Sequence, residues 1–176
     1  PAFMHLIDVG LRGRENPGFG GWGGRFVQQA SRWVSAPDDG DIHKPILRWA
    51  IAFQNDWAAR ADWCVTGFED ANHPPTVVLG HDSNLTGTAG EAVQLDASRS
   101  NDPDGRELTF KWGSYPDAGT YSRSTEFSGA EGPEATFTVP KDARAGETIH
   151  LVCQVTDDGS PALTRYAHVV VEVVTP

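Results

Sequence analysis

The feature that most narrows the fold lies in the second half of the chain. There the sequence is cut into six short apolar runs, at 76–79, 92–95, 108–112, 135–139, 148–155 and 166–174. In the last of these Ala167, Val169, Val171 and Val173 share one parity while His168 and Glu172 share the other, which is the period of a half-buried strand. Ile149, Leu151, Cys153 and Val155 alternate in the same way. Turn chemistry such as Asp104-Gly105 and Asp158-Gly159 separates the runs, and short strands punctuated in this manner predict an immunoglobulin-like β-sandwich.

Upstream of Asn72 the pattern changes. Residues 3–9 read as a short apolar strand, and 10–24 are so rich in glycine that they form an unusually long loop. Residues 26–33 read as a short helical stretch. From Pro45, well suited to a first helical turn, the apolar positions Ile46, Trp49, Ala50, Phe53, Trp57, Ala61 and Cys64 recur at helical spacing. Arg48, Asn55, Asp56, Arg60 and Asp62 make up the opposite, polar face. The segment Ala71-Asn72-His73-Pro74-Pro75 stops the helix, because a residue before proline is pushed out of the helical region. This break divides the chain into 1–72 and 73–176. Composition shifts at the same point: residues 1–72 hold Trp22, Trp33, Trp49, Trp57 and Trp63, whereas only Trp112 follows. The acidic excess falls mostly in the second part. The expected fold class is therefore mostly β, an immunoglobulin-like β-sandwich preceded by a small α/β or helical segment with a long Gly-rich loop.

The net charge of -10 repels phosphate backbones and anionic headgroups, so nucleic acid and membrane surfaces are not expected partners. No apolar run comes near the roughly 20 residues of a membrane-spanning helix. Cys64 and Cys153 are the only cysteines, too few for a disulfide framework and too far apart for a zinc motif; whether they pair stays open. No charged leader opens the sequence, so any signal peptide was removed or lay upstream, and compartment has to be argued from elsewhere.

Longer phrases carry a resemblance. The run from Val93 through Asn101-Asp102-Pro103-Asp104-Gly105, together with Leu108-Thr109-Phe110-Lys111-Trp112 and Val155-Thr156-Asp157-Asp158-Gly159, resembles the polycystic-kidney-disease and cadherin-like sandwich modules of extracellular bacterial proteins. Gly20-Gly21-Trp22-Gly23-Gly24-Arg25-Phe26, the stretch from Asn55-Asp56-Trp57 to Asp62-Trp63-Cys64, and Ala71-Asn72-His73-Pro74-Pro75 are similar to the C-terminal part of a family of bacterial cellulose-binding proteins whose N-terminal domain is nucleoside-hydrolase-like. Tyr115-Pro116 and Ala118-Gly119-Thr120-Tyr121 fit the same family. The resemblance implies a secreted or periplasmic protein, association with cellulose or a related glycan, and an upstream catalytic-like domain. The aspartate-rich motif that opens a nucleoside-hydrolase domain is missing, so no hydrolase activity carries over.

Polysaccharide recognition needs flat apolar surface, because a pyranose ring packs its axial C–H groups on an aromatic face while its hydroxyls seek polar partners. Aromatic residues in loops are accordingly the candidates: Trp22 in the Gly-rich loop, with Arg14, Asn16 and Arg25 nearby, then Tyr115 and Tyr121 flanking a Pro-Asp-Ala-Gly turn, and Trp33. Trp49, Trp57 and Trp112 are assigned to cores by their spacing, and Trp63 is undecided. Asp102, Asp104, Asp157 and Asp158 come from two turns and are of the type calcium prefers. The competing and favoured reading is that they cap their own turns, so no cofactor is required and calcium is the alternative. The histidines His5, His43, His73, His81, His150 and His168 lack metal-ligand spacing and read as structural. Asp8 and Glu15 form the one carboxylate pair worth testing for glycoside hydrolysis, with solvated loop charges the favoured reading. Asn84-Leu85-Thr86 matches a glycosylation pattern but reads as a polar loop. Two functions are expected from this set: a non-catalytic carbohydrate-binding module, or an enzyme fragment that completes an upstream active site with the sandwich as a spacer.

Overall fold

The structure is a computed structural model that describes residues 8–123 and 125–176. The expected strand at 3–9 and His5 fall largely outside the described residues; Asp8 and Val9, at its end, have irregular backbone. Two strands, β1 (Phe26–Gln29) and β2 (Arg32–Ser35), form an antiparallel hairpin and are followed by helices α1 (Lys44–Leu47) and α2 (Ala50–Asp62). The sandwich comprises β3 (Asn84–Thr88), β4 (Ala92–Asp96), β5 (Leu108–Ser114), β6 (Phe127–Ser128), β7 (Glu134–Thr138), β8 (Thr148–Asp157) and β9 (Thr164–Val174). One sheet has the order β3-β9-β8-β5 and the other β4-β7-β6. β3 runs parallel to β9 and every other pair is antiparallel. Three strands facing four, with the second, fifth and fourth of the sandwich in one sheet, is the immunoglobulin-like arrangement.

Five of the six expected runs are strands. The exception is 76–79, where Thr76 makes only an isolated bridge to Asn101 and the first sandwich strand forms later, at β3. The alternating residues of β8 and β9 fill the space between the sheets: Leu151, Cys153, Val155, Val169 and Val171 are fully buried with Phe137, Leu95 and Trp112 from the other strands. Truncating one of the aliphatic members to alanine costs about 2–5 kcal/mol, because the site cannot fully collapse.

The central part of the outer face of the four-stranded sheet is buried as well. Val152 and Tyr166 on that face pack with Val9, Leu11, Trp22, Trp49, Ala52 and Tyr115 in a second apolar cluster. The segment before Asn72 is thus a roof on the sandwich, and its buried residues belong to a core shared with the sheet. Polar ties hold the roof down. The Tyr166 N–H donates to the Val9 carbonyl (2.8 Å), Asn55 Nδ2 to the Ala162 carbonyl (2.9 Å), and Asn72 Nδ2 to the Pro161 carbonyl (3.0 Å). At Gly10 the chain passes so close to β9 that an added Cβ would collide with the Tyr166 carbonyl oxygen, and its φ of +91° also favours glycine. This cover explains why His168, on the expected polar face of the last strand, is 1% exposed while Glu172 beyond the roof faces water.

Two local expectations are corrected. Residues 26–33 are not helical: Ala30, with φ 53°, and Ser31 turn the chain back so that Gln28 pairs with Trp33 and Gln29 with Arg32. The helical run ends at Asp62, before the prolines, and its buried face is rotated from the expected one. Ala52, Asp56 and Ala59 face the sheet, and Trp57, expected in the core, is 75% exposed. The cause is Asp56, whose carboxylate is buried because it takes Arg165 from β9 (2.8 Å) and Arg60 from its own helix (2.6 Å). Cys64 is exposed and Cys153 buried, both free, so the pairing left open is not made.

Candidate functional site

Three of the four expected landing rings are sealed. Trp22 is 1% exposed, edge-on to Phe53 at 6.4 Å and beneath the Arg165 guanidinium at 5.8 Å. The glycines around it do not leave it bare; they let the loop press it onto the sheet. Tyr121 is 7% exposed and its hydroxyl donates to Asp142 Oδ1 (3.0 Å), which Arg123 also engages. Tyr115 is 2% exposed and donates to Asp38 Oδ2 (2.9 Å). Burial, followed by the Asp38 charge, pushes the Tyr115 phenol well above its ordinary range, so it stays a donor.

Asp38 is the centre of a cluster that sequence reading missed. It is fully buried and receives Arg25 Nε (2.9 Å), Arg48 Nη1 (3.1 Å) and the Tyr115 hydroxyl. The Arg48 guanidinium also lies 4.0 Å from the centre of the Tyr115 ring, a cation–π contact. Arg25, expected to meet sugar, is consumed here, with a second bond to the Pro37 carbonyl. Asn16, also expected at the site, accepts from the Gly18 N–H and caps the Pro17–Phe19 turn. Arg14 is exposed.

Of the expected rings only Trp33 is open to solvent, at 51%. It stands on β2 directly across from Gln28 on β1, so an indole and a primary amide share one face of the hairpin. The Gln28 amide is held near the turn by a bond from Nε2 to the Ala30 carbonyl (3.4 Å), which leaves its carbonyl oxygen as an acceptor. Nearly every residue of the hairpin is exposed. A bare two-stranded hairpin is marginally stable in water, and here its stem is clamped where it leaves the body. The Ala36 N–H bonds the Arg25 carbonyl (2.8 Å), and Arg25 is bound to Asp38. The buried ion cluster therefore holds the base of a projecting arm that carries Trp33. Two further exposed rings, Trp57 at 75% and Phe68 at 74%, lie on α2 and on the turn after it. Phe68 rests against His73 (4.2 Å between centroids), which stacks on Trp63 at 5.8 Å.

The four aspartates for which calcium was the alternative reading each hold nearby groups of the chain. Asp102 accepts from the Asp104 and Arg106 N–H groups. Asp104 holds the backbone N–H and ring of His73, while Asp157 takes Asn72, Gly159 and Leu163. Asp158 accepts from the Glu107 N–H. Among the described residues no three His, Cys, Asp or Glu side chains converge as metal ligands. Asp8 accepts from the Gly10 N–H and Glu15 grips Arg12 in a paired contact, so each member of the expected carboxylate pair serves its own loop.

His150 and His168 form a buried pair on the roofed face of the sheet. His168 Nδ1 lies 2.8 Å from the Leu11 carbonyl, and its Nε2 lies 2.9 Å from His150 Nδ1. A carbonyl only accepts, so His168 carries its proton on Nδ1, its Nε2 accepts, and His150 donates from Nδ1. Burial drives both below the ordinary histidine value, His150 to about 3 and His168 to about 4. The Arg12 guanidinium, which donates to the His168 carbonyl (3.4 Å), lowers both further.

These features define an immunoglobulin-like domain whose outer sheet face is roofed by a loop and helix segment, with one aromatic arm standing clear of the body. Residues 92–173 match the family described as the cellulose-binding protein Sde0182, C-terminal domain. Over 98% of its length the chain is similar to a nucleoside hydrolase-related protein from Saccharophagus degradans associated with carbohydrate metabolism, with 36% identity and a TM-score of 0.83. It spans 46% of that structure. Weaker likeness, at 18% identity and a TM-score of 0.39, extends to the PKD domain of the KIAA 1837 protein, covering 61% of this chain and 95% of that one. A search of the curated proteins gives no match.

Proposed function

We propose that the chain is a non-catalytic carbohydrate-binding unit for cellulose or a related plant polysaccharide, and that Trp33 is its landing ring. The observation that carries this reading is the half-exposed indole of Trp33, set across from the Gln28 amide on an arm whose base is fixed by Asp38. A pyranose face packs on the indole and the amide meets a hydroxyl. The name of the Sde0182 family and the carbohydrate association of the Saccharophagus degradans protein support the substrate class. A secreted or periplasmic location goes with that role. Pull-down with insoluble cellulose tests it. The chain is retained, Trp33→Ala is released, and retention changes little with salt because stacking on a neutral sugar frees no counterions. Retention no greater than that of albumin, or undiminished in Trp33→Ala, refutes it.

One observation favours a second reading, in which the chain completes a longer carbohydrate-active enzyme. Leu47, Ile51, Trp57, Val65 and Phe68 are exposed along α1, α2 and the following turn. A further domain would cover such apolar surface. Release of reducing sugar or nucleobase by a longer form of the protein, and not by this chain alone, would support that role.

A further inference from the structure

A cleft of about 360 Å³ opens beside the edge strand β5, between the outer face of the four-stranded sheet and the junction of α1 and α2. Its size falls in the range of small-molecule sites, about 300–1,000 Å³. Lys111 on β5 and Gln154 on β8 are register partners, as are Gly113 and Val152 two residues along. Arg48, Trp49 and Tyr115 form the facing wall.

The lining carries no carboxylate, which is unusual in a protein of net charge -10. Asp38 stands behind the wall, but its single charge is shared between Arg25 and Arg48. Of the five N–H groups of Arg48, one goes to Asp38. Lys111 is exposed and has no ion-pair partner among the described residues. The indole N–H of Trp49 is buried without a hydrogen-bond partner, a condition most buried donors avoid. Positive charge from Arg48 and Lys111 and the Gln154 amide therefore flank the cleft, with Trp49, Tyr115 and Val152 buried behind them. The floor at Gly113 is open: an added Cβ there would meet nothing within 4 Å.

From this arrangement we propose that the cleft binds the carboxylate of an acidic sugar, a hexuronate unit of a polysaccharide. The carboxylate lies between Lys111 and the free edge of the Arg48 fork, which matches a carboxylate's geometry. The Gln154 amide meets a ring hydroxyl, and the sugar ring lies over the open floor at Gly113. This site is separate from the arm and does not rest on Trp33.

The test is calorimetric titration of the chain with trigalacturonate, its methyl ester and cellotriose. Trigalacturonate is bound more tightly than either neutral trisaccharide, and its affinity falls at about 0.5 M salt, where the Debye length is only a few ångström. Lys111→Ala weakens it roughly tenfold or more, the loss expected for one hydrogen bond to a charged group. Gly113→Phe fills the floor and abolishes binding, while Trp33→Ala leaves it unchanged. Equal affinity for trigalacturonate and its ester overturns the proposal, as does binding untouched by both Lys111→Ala and Gly113→Phe. Failure to bind trigalacturonate also overturns it, whatever cellulose does, and loss of cellulose retention alone bears only on Trp33.

Discussion

Acidification from pH 7 to pH 5 perturbs the buried histidine pair without protonating most carboxylates. In the folded chain His150 and His168 have values of about 3 and about 4 and remain neutral over this interval. In the unfolded chain each titrates near 6.5 and gains a proton. Stability from the pair is therefore complete above the unfolded value and is lost as the pH falls from there toward the folded values. At pH 5 each unfolded histidine lies about 1.5 pH units below its pKa, worth roughly 2 kcal/mol, so the pair removes on the order of 4 kcal/mol. That is a large part of the 5–15 kcal/mol, roughly, that holds a typical domain folded. Protonation of His168 also breaks the relay, since its Nε2 would then point a second N–H at the donating Nδ1 of His150. Arg12 opposes such a charge on His168 and Glu15, bound to Arg12, favours it. Urea melts at both pH values read the effect, with His150→Leu/His168→Asn as the reference that cannot titrate there. The wild-type chain loses several kcal/mol more than the double variant between the two conditions. Because the comparison is one of slopes, a uniformly less stable variant remains informative. Equal losses in the two proteins would refute the assignment of the pair as neutral and buried.

Three further outcomes are expected. Gly10→Ala lowers the melting temperature sharply, because its methyl group meets the Tyr166 carbonyl at a positive φ, whereas Gly113→Ala is neutral or stabilising, and differential scanning calorimetry separates them. Tyr115→Phe removes one donor from buried Asp38 and costs about 1.5–3 kcal/mol in a denaturant titration, with the arm's amides exchanging faster by hydrogen exchange. A maleimide labels Cys64 in the folded chain and leaves Cys153 untouched until denaturant is added, since Cys153 is buried and burial pushes its thiol up to about 12.

Much of the sandwich was legible because its strands alternate: Val169, Val171 and Val173 declare the inner face of β9 by parity alone. What lay outside sequence reach was the partner of each buried surface. Trp22 sits among glycines that cannot bury it locally; Tyr166 and the Arg165 guanidinium, far along the chain, do so. The helix face was misread because Asp56 looks like a solvent residue until Arg165 is brought beside it. The hairpin carried no Asn-Gly or Asp-Gly signal, since Ala30 takes the positive φ that glycine or asparagine would have announced. Trp33 was legible as a candidate ring, but Gln28 as its cross-strand neighbour emerges only from the register. Asp38 carried no motif, and its role depends on Arg25, Arg48 and Tyr115 converging from three separate connecting segments.

The N–H resonance of the Trp33 indole in a nitrogen–proton correlation spectrum tests its sugar-facing role most directly. Titration with cellohexaose should shift the Trp33 signal progressively and leave those of buried Trp22, Trp49 and Trp112 in place. A Trp33 signal that stays fixed at saturating cellohexaose would contradict it.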